Sequence, residues 1–126
     1  MINEASQPVI LAVDRNRRNL ELLTQVLTQQ GYQVLTKISL EEVEETLNTP
    51  TTIKLALVDI SGFDASVWSL CQRLREQGIP FLVISPRQQA AVQQASIANG
   101  ALGLLGKPLI MREFLQLIQN LLKGSE

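Results

Sequence analysis

The sequence predicts an α/β domain built on a doubly wound, five-stranded parallel sheet, and three observations lead there. Short runs of aliphatic and β-branched residues recur five times along the 126 residues. Longer segments with apolar residues three and four apart separate these runs, the spacing of amphipathic helices. Three of the runs, VILAV (9–13), IKLALV (53–58) and FLVI (81–84), are almost continuously apolar. Strands covered on both faces of a parallel sheet read this way, whereas a half-exposed strand alternates. Strands alternating with helices imply right-handed crossover units, with helices on both faces of the sheet.

Each element has its own signal. The first strand is VILAV, and Leu20, Leu23, Val26 and Leu27 form the inner face of a first helix that Gly31 ends. YQVLT (32–36) is the second strand, and Leu40, Val43 and Leu47 mark a short second helix. After the third strand (53–58), Val67, Leu70, Cys71 and Leu74 mark a third helix, closed by Gly78 and Pro80. FLVI is the fourth strand, and Val92, Ala95 and Ala98 give a fourth helix ended by Gly100. LGLL (102–105) is the fifth strand, and Phe114, Leu117, Ile118, Leu121 and Leu122 give the last helix. No repeat, low-complexity tract or linker interrupts the series. Residues 1–126 are therefore expected to form one domain with a core at about 9–122 and loose tails.

Composition narrows the function. Hydrophobic residues make up 45% and charged residues 18%, a globular balance. A net charge of −1 offers no bulk attraction to nucleic acid or acidic lipid. With one cysteine, Cys71, and no histidine, an internal disulfide and a Cys/His zinc site are both excluded. Cys71 falls on the apolar stripe of the third helix and reads as a small buried hydrophobe. The first residues, MINEASQP, lack the pattern of a signal peptide, and no run is apolar enough to cross a membrane. A reducing, cytoplasmic setting is expected.

Ligands of an open parallel sheet bind beyond the carboxyl ends of its strands. The residues there are Asp14 after the first strand, Asp59 after the third, Ser85 after the fourth and Lys107 after the fifth. Any one of them alone is an ordinary cap or turn former. Together they place two carboxylates, a hydroxyl and an ammonium on one rim.

These residues, within VILAVDRNRRNLELL, LALVDI, IPFLVIS and GALGLLGKPL, carry a resemblance to the receiver domain of bacterial response regulators over about 9–122. The resemblance implies the flavodoxin-like strand order 2-1-3-4-5 and a phosphotransfer site rather than an enzyme. Asp59 would accept the phosphoryl group from a sensor histidine kinase or phosphotransfer protein. Asp14 would belong to the acidic pocket, and Asp14, Asp59 and Ser61 would hold magnesium. Ser85 and Lys107 would contact the phosphoryl group. Transfer to a carboxylate accumulates negative charge, which cations and aimed donors must offset. Pro108 matches a family proline usually preceded by a cis bond.

Four departures from the family pattern point to weak magnesium binding and an impaired site. Arg15 stands where the acidic pair has its second carboxylate, so a ligand is lost and a cation is added. Pro86 follows Ser85 and has no N–H to offer a phosphoryl oxygen; the same pair could also cap and start the fourth helix. In the loop after Asp59, Phe63 replaces a usual proline, Ser66 an acidic residue and Val67 a glycine. Asp64 or Ser66 could cap the third helix, and Trp68 is expected to pack against the domain. Leu104 replaces an aromatic ring that moves on activation, and is of a size to remain buried.

Residues 88–106 carry no charge. They include the fourth helix and fifth strand, which with the fifth helix would form the face for a downstream protein. No effector accompanies the receiver-like unit within these 126 residues, so action by binding is expected, with no role on nucleic acid or membrane. The alternative is a phosphorylation-independent pseudo-receiver that works as an interaction module. A flavodoxin-like cofactor protein is more distant, because DRNRRNLE contains no Ser-, Thr- or Gly-rich phosphate cradle.

Overall fold

The computed structural model describes residues 7–50, 52–86 and 90–123. The elements, in order, are β1 (Val9–Val13), α1 (Arg17–Gln29), β2 (Gln33–Lys37), α2 (Leu40–Leu47), β3 (Leu55–Asp59), α3 (Ser66–Glu76), β4 (Phe81–Ser85), α4 (Ala90–Ala98), β5 (Gly103–Gly106) and α5 (Met111–Lys123). All neighbouring strands pair in parallel, in the order β2-β1-β3-β4-β5. The strand expected over 53–58 begins two residues later, at Leu55, and ends on Asp59 itself. The expectation for the tails concerns 1–6 and 124–126, outside the described residues.

The three apolar runs are the three central strands. β3 and β4 are buried along their whole length, and β1 is buried except at Val9. Successive side chains point to opposite faces, so each strand supplies two cores. Leu11 and Val13 of β1 join Val43 and Leu47 of α2 and Val67, Leu70, Cys71 and Leu74 of α3 on one face. Ile10 and Ala12 join Leu20, Leu23 and Leu27 of α1 and Phe114, Ile118 and Leu122 of α5 on the other.

The helix starts are set locally. Asn16 caps α1 by accepting the Asn19 N–H at 3.1 Å. Ser39 caps α2 by accepting the Glu42 N–H at 3.2 Å, and Glu42 reaches back to the Ile38 N–H at 3.3 Å, a close variant of the capping box. Asp64 accepts both the backbone N–H and the hydroxyl of Ser66 at the start of α3, which holds its carboxyl below the usual range.

α4 departs from the expected pattern. Val92 and Ala95 are half-buried, Ala98 is exposed, and Ser96 is its one buried residue. Alanines offer little area to bury, and the edge strand beneath, β5, is itself only half-buried. The Ser96 hydroxyl avoids an unmet hydrogen bond by donating to the Val92 carbonyl at 2.8 Å. The reading of Ser85 and Pro86 as the start of this helix depends partly on 87–89, outside the described residues. Ser85 itself ends β4.

Candidate functional site

Strand order creates the site. From β1 the chain moves outward to β2, then crosses back to lay β3 on the other side of β1. The carboxyl ends of β1 and β3 thus flank the switch point where crevices form in such sheets. Asp14 follows β1 and Asp59 ends β3; both are 3% exposed, well below what an unpaired carboxylate tolerates.

Both oxygens of Asp59 are engaged. Oδ1 accepts the Ser61 N–H at 2.9 Å, and Oδ2 lies 2.5 Å from the Lys107 Nζ. Lys107 is placed from below: its backbone N–H donates to the Ser85 carbonyl at 3.1 Å, which extends the β4–β5 ladder by one bond. The Lys107–Pro108 peptide is cis. The ammonium also lies 3.5 Å from the Ser61 hydroxyl. Ser85, in β4 next to β3, is buried. The sheet therefore brings Asp14, Asp59, Ser85 and Lys107 to one rim.

Asp14 accepts the Asn16 N–H at 2.8 Å. Burial pushes its carboxyl above the ordinary range. The Asn16 bond pulls the other way, and the Asp59 carboxylate adds to the upward push. Two close carboxylates thus share the rim with an ammonium that pairs with Asp59. A pocket of about 500 Å³ opens over them, bounded by Leu22 of α1 and by Leu109 and Met111 beyond β5. Leu22 is 50% exposed and Met111 37%, an apolar rim that the sequence reading did not anticipate. Its signal lay in two apolar residues off the inner faces of their helices.

Arg15, the cation in place of the second carboxylate, has its own packing partner. It is exposed, and its stem passes Gly62 in the loop after β3. Its guanidinium carbon lies 5.8 Å from the centroid of the Phe63 ring. Two departures from the family pattern thus meet each other, which sequence separation concealed.

Trp68 is half-buried against the α2/α3 core, as expected. Cys71 is buried and its thiol is pushed up to about 12 by that burial, an inert state. Leu104 is half-buried rather than buried, because it sits on the edge strand β5 beside the thin cover of α4. Pro86 is exposed immediately after β4.

Magnesium requires near-octahedral hard oxygens. Here Asp59 is committed to Lys107 and Ser61, Arg15 supplies no oxygen, and among the described residues no three acidic, cysteine or histidine side chains converge as metal ligands. The residues present do not fit a tightly held magnesium ion.

Comparison with known proteins agrees with this architecture. A model of the response regulator receiver domain matches residues 10–119. A two-component response regulator from Clostridium difficile superposes with a TM-score of 0.87 at 20% identity, over 95% of this chain and 99% of that one. A CheY-like response regulator receiver domain protein from Methanospirillum hungatei gives 0.85 at 24% identity, over 94% and 96%. A response regulator from Thermotoga maritima gives 0.82 at 22%, over 93% and 98%. Such identities speak for the fold, and the family match across most of the length settles kinship: the chain belongs to the response regulator receiver domain family.

Proposed function

We propose that this receiver domain, acting as one unit with its core at about 9–122, accepts a phosphoryl group on Asp59 from a sensor histidine kinase or phosphotransfer protein. The observation that carries this reading is the buried Asp59 carboxylate, ion-paired with Lys107 at 2.5 Å and opening onto a pocket beside Asp14. In the step, an Asp59 oxygen forms a bond to phosphorus while the phosphorus–nitrogen bond of a phosphohistidine breaks. The electron pair stays on the imidazole nitrogen. Lys107 and Ser85 are the proposed contacts to the phosphoryl oxygens, where negative charge develops. Magnesium is bound only weakly, in the millimolar range or poorer as an order of magnitude, through Asp14, Asp59 and Ser61.

Incubation with the small donor phosphoramidate, read by intact mass, tests the assignment. The wild type should gain one phosphoryl group and Asp59→Asn none. A gain that persists in the variant would place the acceptor elsewhere.

The missing N–H at Pro86 favours a second reading, in which the unphosphorylated domain works as an interaction module. Either reading uses the α4–β5–α5 face for a downstream protein. Ile97 and Leu102 there are 66% and 55% exposed, and residues 88–106 are uncharged. The half-buried Leu104 lacks the ring that would couple this face to the acceptor. The charge of −1 argues against nucleic acid, and among the described residues no helix is long and apolar enough to cross a membrane. A cytoplasmic location follows from this role.

A further inference from the structure

Arg15 lies along the loop that leaves the acceptor. Its stem runs past Gly62, where an added Cβ would come within 3.4 Å of the Arg15 Cδ, and its guanidinium rests 5.8 Å from the Phe63 centroid. Gly62 follows Ser61, whose N–H holds Asp59 at 2.9 Å. On the other side, Arg15 adjoins Asp14 in sequence. The side chain thus lies along the loop that follows Asp59, with its guanidinium over a ring of that loop.

The charge balance of the site calls for that cation. At rest, two buried carboxylates share the rim with one ammonium, which pairs with Asp59. Replacing the Asp59 carboxylate with a dianionic acyl phosphate adds further negative charge at the same rim. The donor set does not suit a divalent ion, and Pro86 withholds an N–H. We propose that Arg15 is the second phosphoryl-binding cation of this site, taking the electrostatic place of a metal ion, and that Phe63 holds its guanidinium at the rim until a phosphoryl group arrives. The proposal rests on Asp59 being the phosphoacceptor and adds how its charge is met. A planar guanidinium pairs two phosphoryl oxygens at once through charge-assisted hydrogen bonds. An exposed cation–π contact is the weaker partner, so the exchange is favourable once the oxyanion is present.

The test follows initial rates of phosphoryl gain from phosphoramidate by intact mass, using the full chain in excess EDTA and in excess magnesium. An Asp59 oxygen attacks phosphorus, the phosphorus–nitrogen bond breaks, and ammonia leaves with the electron pair and the protons the zwitterionic donor already carries. The wild type should be labelled in EDTA at a rate within about threefold of that in magnesium. Arg15→Ala should lose about tenfold or more of the EDTA rate. Arg15→Lys keeps a cation on a flexible stem but loses the planar fork, and should lie between the wild type and Arg15→Ala in the EDTA rate. Labelling of the wild type only in magnesium overturns the proposal and leaves Asp59 as acceptor. An unchanged EDTA rate in Arg15→Ala overturns it too, as does an equal loss in Arg15→Lys, which would assign the effect to loop packing and not to charge. No labelling under either condition overturns both this proposal and the phosphoacceptor reading.

Discussion

Asp14 follows β1 and Asp59 ends the neighbouring β3, and the Lys107 ammonium pairs with Asp59, an unevenness with consequences that can be measured residue by residue. The Asp14 carboxyl is raised above its ordinary value of 3.8, chiefly by burial. Between that value and the raised one, the folded state holds more protons than the unfolded state, so stability falls as pH rises through the window. In EDTA, Asp14→Asn should melt higher than the wild type at neutral pH, and the advantage should vanish as pH drops below the ordinary carboxyl range. A variant less stable at neutral pH would show that the bond from Asn16 outweighs burial. Arg15→Asp tests the metal side. It restores a carboxylate, so three would crowd the rim without metal, and the variant should melt lower than the wild type in EDTA. Magnesium should then raise its melting temperature progressively, following the linkage relation, while the wild type responds little. Equal responses would mean that Arg15 does not limit metal binding. Trp68, on the helix after the Asp59 loop, offers a parallel readout. Saturable quenching of the wild type at micromolar magnesium would contradict weak binding.

At the scale of elements, the helices differ in what holds them. α2 is only eight residues long and depends on its cap, with Ser39 accepting the Glu42 N–H. Ser39→Ala should cost about 1 kcal/mol in urea denaturation. α4 buries only Ser96, whereas α5 buries Phe114, Ile118 and Leu122. Amides of α4 should therefore exchange with solvent fastest among the five helices, and those of α5 far more slowly. Equal protection would show that α4 is held by contacts other than burial. This difference was only partly legible in the sequence. The spacing of Val92 and Ala95 announced a helix, but not how little a row of small residues covers when the strand beneath is an edge.

For the whole molecule, the sheet is the organising layer, and each central strand contributes to a core on either side. Ile118, fully buried, closes the α1/α5 side against Ile10, Leu57 and Leu82. Ile118→Ala should cost about 2–5 kcal/mol through lost burial and the cavity left behind. Val92→Ala, in the thin cover over β5, should cost under about 1 kcal/mol. Comparable losses would mean that α4 contributes to the core as α5 does.

The order of the elements and the inner faces of four of the helices were written in apolar periodicity, because burial selects residue type directly and each strand or helix reports it within a few residues. The rim residues Asp14, Asp59, Ser85 and Lys107 were legible for a related reason: each directly follows or ends an apolar run, and parallel strands place such positions at one edge. The apolar pocket rim of Leu22 and Met111, the half-burial of Leu104 and the rest of Arg15 upon Phe63 were decided by tertiary structure alone. Each depends on which segments the strand order makes neighbours, and a contact between residues 48 positions apart leaves no periodic trace in either segment.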